Sequence, residues 1–372
     1  MRAHVKFRLI ACSAGRCEFR GCNKDLFQHP VTATEGNFAQ AAHIVAFRED
    51  GARGKGARPA EINSFENLML LCGDCHHLVD DVRPQDYPAA LLRTFKREHE
   101  ERIAALTAYG PEHRTTVIQL RGAIGGQPVD IPAGDIRTAL HPLYPARLPG
   151  VLIDLTALQR ESAAFFDLAR DQIRRELRPA LKAELEAKHV QHYSTFALAP
   201  IPVLVALGRE LGNKVTVDVF QRHRDNSWRW REDGPVAEYE FRLTRAGTDA
   251  NSVALQLSLS GRIAPDSIPA AIDARFCLYE ITLRGQEPGV EFLRRREDLA
   301  AFRKIYRDSM AELIAKHGHF PALHLFAAAP APVAVACGMD VMPKAHPSLV
   351  VYDNVKGKFQ PGLTINSGDD LQ

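Results

Sequence analysis

Four cysteines set the tightest constraint on this chain. Cys17 and Cys22 form one short hook, RCEFRGC, and Cys72 and Cys75 form a second, LCGDC, about fifty residues further on. The seven cysteines are an odd total, and close pairs in a reducing compartment point to metal ligands before disulfides. Four thiolates in tetrahedral array make a closed structural zinc site. The surrounding segment, residues 1–110, is cut by Gly- and Pro-containing loops and has a thin core, so zinc would supply folding energy directly. Cys12 stands close enough to compete as a ligand, whereas Cys277 and Cys337 sit in apolar runs that suit a core.

Chemistry-bearing residues cluster around these hooks. CHHLVD (75–80) reads as a helix that places His76 rigidly beside a zinc ligand. FAQAAHIV (38–45) reads as a strand end carrying His43, and Asn67 opens the apolar run NLMLL. Phosphodiester hydrolysis needs a base near pH 7, which histidine supplies, and a cation on the developing charge. AHI, then NL, then LCxxCHxLVD resembles the HNH endonuclease family with its ββα-metal fold. The resemblance implies that His43 is the general base, that Asn67 orients it and that His76 binds a catalytic Mg²⁺ or similar cation. Many HNH enzymes carry Asp immediately before the base, and Ala42 stands there instead. Asp80, Asp81 or Glu35 would substitute, or His76 and water would hold the metal with few protein ligands. His77 is a further candidate.

Arg48, Arg53, Lys55 and Arg58 lie in a Gly-rich loop between His43 and Asn67. Flexible cations suit phosphate contacts without base readout. The net charge of +2 leaves any basic surface local. From Pro88 the apolar residues recur at helical spacing, which predicts a closing helix that ends near Gly110-Pro111. Residues 111–149 read as a connector, with a short hairpin turning at Gly125-Gly126 and an extended Pro-rich link, HPLYPARLPG.

The remainder is a duplication. FALAPIPVLVALG (196–208) recurs without a gap as FAAAPAPVAVACG (326–338). VLIDLT (151–156) and CLYEITL (277–283) precede the copies as strands, each followed by a long helical run, the first interrupted at Pro179. KVTVDVF (214–220) and SLVVYD (348–353) follow as strands, so each half, about 150–260 and 270–372, reads as a Rossmann-type βαβαβ unit. EYEFRLTR and SVALQLSLSG add antiparallel strands between the halves. In each copy a strand ends at Ala-Pro and a helix begins, so Pro200 and Pro330 mark helix starts where free N–H groups suit phosphate. Two such units make a pseudo-symmetric cleft for a ligand of near two-fold symmetry, such as a cyclic dinucleotide. Trp228 and Trp230 among Arg222 and Arg229 offer stacking planes and cations. Lys344 and His346 occupy the loop before the second copy's last strand.

This half resembles the SAVED domain, a fusion of two CARF-like units that senses cyclic oligonucleotides. HNH followed by SAVED resembles the nuclease effectors of CBASS anti-phage defence. That resemblance implies a dimer or tetramer that degrades double-stranded DNA when a cyclic dinucleotide, 3′,2′-cGAMP or a relative, is bound. The expected fold is therefore α+β multidomain: a zinc-stapled ββα-metal HNH module (1–110), a connector (111–149) and an α/β SAVED domain of two CARF-like units (150–372). The competing reading is a ligand-responsive, non-catalytic zinc DNA-binding regulator. A nucleotide-metabolising enzyme is disfavoured, because the second half carries neither GxGxxG nor a Walker A pattern. No apolar run reaches the ~18–20 residues of a membrane span, and the first residues lack a signal-peptide pattern. A bacterial cytoplasmic location is expected.

Overall fold

A computed structural model describes every residue except 56, 125–126, 188–191, 214 and 367–372. The chain divides into two compact units, Met1–Gly110 and Pro111–Gln372. Among the described residues no helix is long and apolar enough to cross a membrane.

The first unit contains α1 (Ala3–Ser13), β1 (Gln40–His43), β2 (Leu68–Leu71), α2 (Gly73–His77) and α3 (Ala89–Thr107). A π-helical turn, Leu78–Val82, extends α2. β1 and β2 pair antiparallel, with His43 opposite Leu68 and Gln40 opposite Leu71. Two strands and a helix thus follow the ββα order. A lone two-stranded sheet is marginal in water. This one survives because all of β2 is buried, in a core that includes Leu9, Leu26, Ile44, Met69 and Leu92.

The second unit contains β3 (Arg114–Arg121), β4 (Ala123–Ile124), β5 (Gln127–Pro128), α4 (Ala133–Leu140), β6 (Tyr144–Pro145), β7 (Val151–Asp154), α5 (Phe165–Ala187), β8 (His192–Leu198), α6 (Ile201–Leu211) and β9 (Thr216–Phe220). It continues with β10 (Tyr239–Arg245), β11 (Val253–Ser258), β12 (Cys277–Leu283), α7 (Arg296–His317), β13 (Ala322–Ala328), α8 (Ala331–Met339), β14 (Ser348–Val355) and β15 (Lys358–Ile365). The first repeat builds a parallel sheet in which β3 pairs with β8 on one edge and with β6 and β7 on the other, and β9 lies beyond β8. The second repeat builds a six-stranded sheet in the order β10-β12-β11-β13-β14-β15. Its four middle strands are parallel and its two edge strands antiparallel.

Three expectations are corrected here. The segment read as a connector supplies β3, the strand from which the first sheet grows in both directions. The segment read as an antiparallel addition supplies β11, the parallel counterpart of β3. Both are buried on both faces along nearly their whole length, as central parallel strands are, so they show no alternation. The long helix of the first repeat runs unbroken through Pro179. The hairpin pairing β4–β5 is present, while its turn glycines and Lys214 lie outside the described residues.

The duplicated motif forms the seam between the repeats. A Cβ at Gly208 on α6 would overlap the Val335 carbonyl oxygen on α8, and a Cβ at Gly338 would overlap the Val205 carbonyl oxygen. Each glycine lies in the backbone groove of the other helix. Because 205 and 208 correspond to 335 and 338 in the repeat, the two contacts are exchanged by a local two-fold. The same correspondence relates two buried carboxylates at the helix ends. Glu210 is held by Arg174 and Arg178 from α5, and Asp340 by Arg303 from α7.

Candidate active site and sensor cleft

The four hook cysteines converge. Their sulfur atoms all lie within 4.8 Å of one another, and Cys12 is not among them. Cys17 and Cys22 come from the loop after α1, Cys72 stands between β2 and α2, and Cys75 lies in the first turn of α2. The Cys22 and Cys72 sulfurs are 3.9 Å apart, close to the ~3.8 Å edge of a tetrahedron with Zn–S bonds of about 2.3 Å. Hydrogen bonds led by the one from Cys75 pull the Cys17 thiol down to about 5 against the opposing effect of burial, and Cys75 is displaced upward. The donor set fits zinc.

This knot fixes β2 against α2, and thereby the residues beside it. His76 follows Cys75 directly, and its N–H donates to the Cys72 carbonyl at 2.9 Å. Its Nε2 lies 3.1 Å from Asp80 Oδ2, one turn along the helix, while its Nδ1 faces the Gln40 carboxamide on β1. Asp80 also pairs with Arg53. Burial alone would raise the Asp80 carboxyl, but the hydrogen bonds from His76 and Arg53 outweigh it and hold the group below the usual range. His76 and Asp80 thus bring one ring nitrogen and one carboxylate oxygen together, 3.1 Å apart. That fits a small divalent cation, which keeps most of its water and needs only one or two protein ligands. His77 instead pairs with Asp81 at 2.8 Å, both exposed.

His43 ends β1 half-buried, with Nε2 2.9 Å from Asn63 Oδ1. Asn67 is buried and does not touch the imidazole. Its Oδ1 accepts the Val45 N–H at 2.9 Å, and its Nδ2 donates to the Val45 and Ile62 carbonyls. It ties the backbone just after His43 to the backbone just before Asn63, and so orients the imidazole at one remove. Asn63 was not singled out from sequence. The signal available was an amide side chain four residues before Asn67, in the same tract.

The basic loop divides. Arg53, expected to contact DNA, is spent internally: Nε donates to the Ile44 carbonyl at 2.7 Å, Nη1 to the Val79 carbonyl at 2.6 Å, and the guanidinium to Asp80. Its side chain is only 8% exposed. Arg58 donates to the Phe47 carbonyl at 2.7 Å. Arg48 and Lys55 are exposed.

In each sheet of the second unit a central strand runs into a helix. β8 runs into α6 at Pro200 and β13 into α8 at Pro330. In open parallel sheets the crevice outside the strand ends is where ligands bind.

Comparison with known proteins bears on both units. The family described as "HNH endonuclease" matches residues 17–83. The family described as "SMODS-associated and fused to various effectors sensor domain", SAVED, matches residues 173–365, just over half the chain. The chain belongs to the SAVED family. No curated protein matches it. Among solved structures it is similar to an Acinetobacter baumannii Cap4 SAVED/CARF-domain containing receptor with the cyclic trinucleotide 3′3′3′-cAAA, at 9% identity, TM-score 0.46, over 74% of this chain and 60% of that one. It is also similar to a Moraxella osloensis Cap4 SAVED/CARF-domain containing receptor, at 11% identity, TM-score 0.39, over 74% of this chain and 59% of that one. The chain thus spans about 60% of the length of these structures.

Within the SAVED unit the residues expected to contact ligand separate. Trp228 and Trp230 are 3% and 9% exposed, and Trp228 packs edge-on against Phe196. Their rings belong to the core and offer no free stacking face. Lys344 and His346 lie between α8 and β14, at the pole opposite Pro330, because a helix and its preceding strand run in opposite directions. Arg222 and Arg229 follow β9 at the Pro200 pole, and Arg222 donates to Asn226 Oδ1 at 2.8 Å. Sequence reasoning missed a cleft of about 360 Å³ at the ends of β11 and β12, lined by Ser258, Arg262, Thr282, Gln286 and Glu287. Ser258 is 1% exposed, and its Oγ has no hydrogen-bond partner among the described residues. At the equivalent place in the first repeat Arg121 reaches Asp154 at 2.9 Å.

Proposed function

We propose that the chain is a cyclic-oligonucleotide-gated DNA endonuclease, a CBASS effector in which the SAVED unit controls the HNH unit. The observation that carries this reading is the union, in one chain, of a SAVED sensor with a module holding His43, Asn63, His76 and Asp80 around a four-cysteine knot. A reader of DNA needs no imidazole poised as a base. With Asn63 Oδ1 accepting from Nε2–H, the His43 lone pair is at Nδ1. Nδ1 takes the proton of the attacking water, and Asn63 holds the ring as charge develops on it. His76 and Asp80 would hold Mg²⁺ or a similar cation, which stabilises the charge that develops on the phosphate and leaving oxygens. Arg53 fixes the Asp80 carboxylate, and Asp80 supplies the charge lost at Ala42. Zinc at Cys17, Cys22, Cys72 and Cys75 is structural.

The activator is a cyclic di- or trinucleotide held at the strand-end pole of the SAVED unit, with Ser258, Arg262 and Arg121 as contacts. A ligand shifts an equilibrium only by its differential affinity for the active state. Cutting both strands of a duplex needs two active sites, which favours a homo-oligomer in a bacterial cytoplasm. The test is plasmid cleavage with Mg²⁺, with and without a panel of cyclic di- and trinucleotides, wild type beside His43→Ala. Cleavage by wild type alone, with one ligand, is expected. Ligand-dependent DNA binding without cutting in any metal would replace this reading with a regulator.

A further inference from the structure

Phe47 is an exposed aromatic beside the base. Its side chain is 60% exposed, and its ring centroid lies 6.0 Å from that of His43, tilted by 54°. A phenyl ring left in water forgoes the burial that stabilises most of its kind. This one is nevertheless held in place. The Phe47 carbonyl accepts from Arg58, and the turn that follows is wound so tightly that a Cβ at Gly51 or Gly54 would strike Ala46 or the Arg48 and Glu49 carbonyls. Arg53, in the left-handed region at φ 59°, pins the far end of the turn to Ile44, Val79 and Asp80. The Arg48 and Lys55 side chains, from the same loop, are exposed and make no hydrogen bond or ion pair among the described residues. Glu49 and Asp50 share the turn, so the cations do not make a broad basic surface.

We infer that Phe47 is a stacking platform for a nucleobase next to the scissile phosphate, with Arg48 and Lys55 on the flanking phosphates. The inference rests on the nuclease reading above and narrows its substrate. A planar apolar face has no use for a phosphate, and every base offers a π-face that an aromatic ring can take up without sequence preference. A base inside an intact duplex has both faces covered by its neighbours. Phe47 therefore favours a step at which one base is unstacked: a mismatch, a bulge, a nick or a single strand. The platform contacts substrate without moving a proton, so it acts on binding and placement rather than on the acid–base chemistry of His43.

The experiment uses the full chain with Mg²⁺ and the activating ligand identified from the panel. Two 30-mer duplexes are compared, one fully paired and one with a single unpaired 2-aminopurine, together with the single strand. Wild type is expected to cut the unpaired substrates with a KM about tenfold lower than the paired one. Phe47→Ala should lose that preference through KM with an unchanged pH profile, and Phe47→Trp should retain it. In a His43→Ala background, binding should quench 2-aminopurine fluorescence with Phe47 present and not with Phe47→Ala. If wild type cuts and Phe47→Ala keeps both the preference and the quenching, the platform is overturned and the nuclease stands. If Phe47→Leu behaves as wild type, the ring is not stacking and the inference fails. If wild type cuts no substrate in any ligand or metal, the nuclease reading and the platform fall together.

Discussion

At the residue scale, the candidate active site depends on side chains that position other side chains. Among the described residues, Asn63 is the one group in hydrogen-bond contact with the His43 ring. Asn63→Ala should lower DNA cleavage about tenfold or more, because a rotating imidazole is seldom aligned, while leaving DNA affinity nearly unchanged. A KM–kcat separation checks it. Arg53 has the opposite signature. Removing a guanidinium that is buried against two carbonyls and Asp80 takes the donor from both carbonyls and leaves Asp80 only its contact with His76. Arg53→Ala should destabilise the first unit by about 3 kcal/mol, and Arg53→Lys should recover little, since an ammonium cannot span the fork. Thermal melts of the two variants measure this.

At the element scale, the α6–α8 crossing is the most exacting contact of the second unit. Gly208 and Gly338 each face a backbone carbonyl, not a side chain that can turn away. Gly208→Ala and Gly338→Ala should each cost about 2–3 kcal/mol or more, through separation of the two helices. The two penalties should be similar, because the repeat makes the environments equivalent. Differential scanning fluorimetry on both variants would show unequal shifts if the local two-fold did not govern the contact. The helix ends carry a pH dependence as well. Burial alone would raise the Glu210 carboxyl, but Arg178 and Arg174 hold it below its usual 4.5. A carboxylate depressed in the folded state contributes stability above the unfolded value and loses it as pH falls through the folded one. The melting temperature should therefore fall below about pH 4.5, and Glu210→Gln should flatten that part of the profile while costing about 1–3 kcal/mol at pH 7.

At the scale of the whole molecule, the two units are stabilised by different means. The first is small, with a two-stranded sheet and a compact core, so a metal at its four-cysteine knot would supply much of its folding energy. The second buries a continuous core that runs through both repeats, from Val117 to Ile365. Chelation should remove one zinc per chain by elemental analysis and melt the first unit, while the second keeps its transition and its ligand binding. A single transition that shifts as a whole on chelation would mean that the units do not unfold independently.

The sequence by itself determined what local spacing and identity determine. Two cysteine hooks can converge on one ion wherever the loop between them runs, and an ungapped repeat must build two equivalent units. His43, Asn67 and His76 were picked out because they stand in a fixed pattern, and only the fold shows that Asn67 bonds the Val45 and Ile62 backbone and that Asn63 meets the imidazole. Tertiary structure alone decided what depends on partners distant in sequence. β3 and β11 were misread as accessory because a central strand buried on both faces carries no alternation. Trp228 and Trp230 looked like ligand platforms from their arginine neighbours, yet both are buried in the core, Trp228 against Phe196 of β8. Arg53 and Arg58 read as free cations in a Gly-rich loop, and only the closure of that loop onto β1 and the helix carrying Asp80 consumed their hydrogen bonds. A side chain's availability depends on what packs over it, and composition does not encode that.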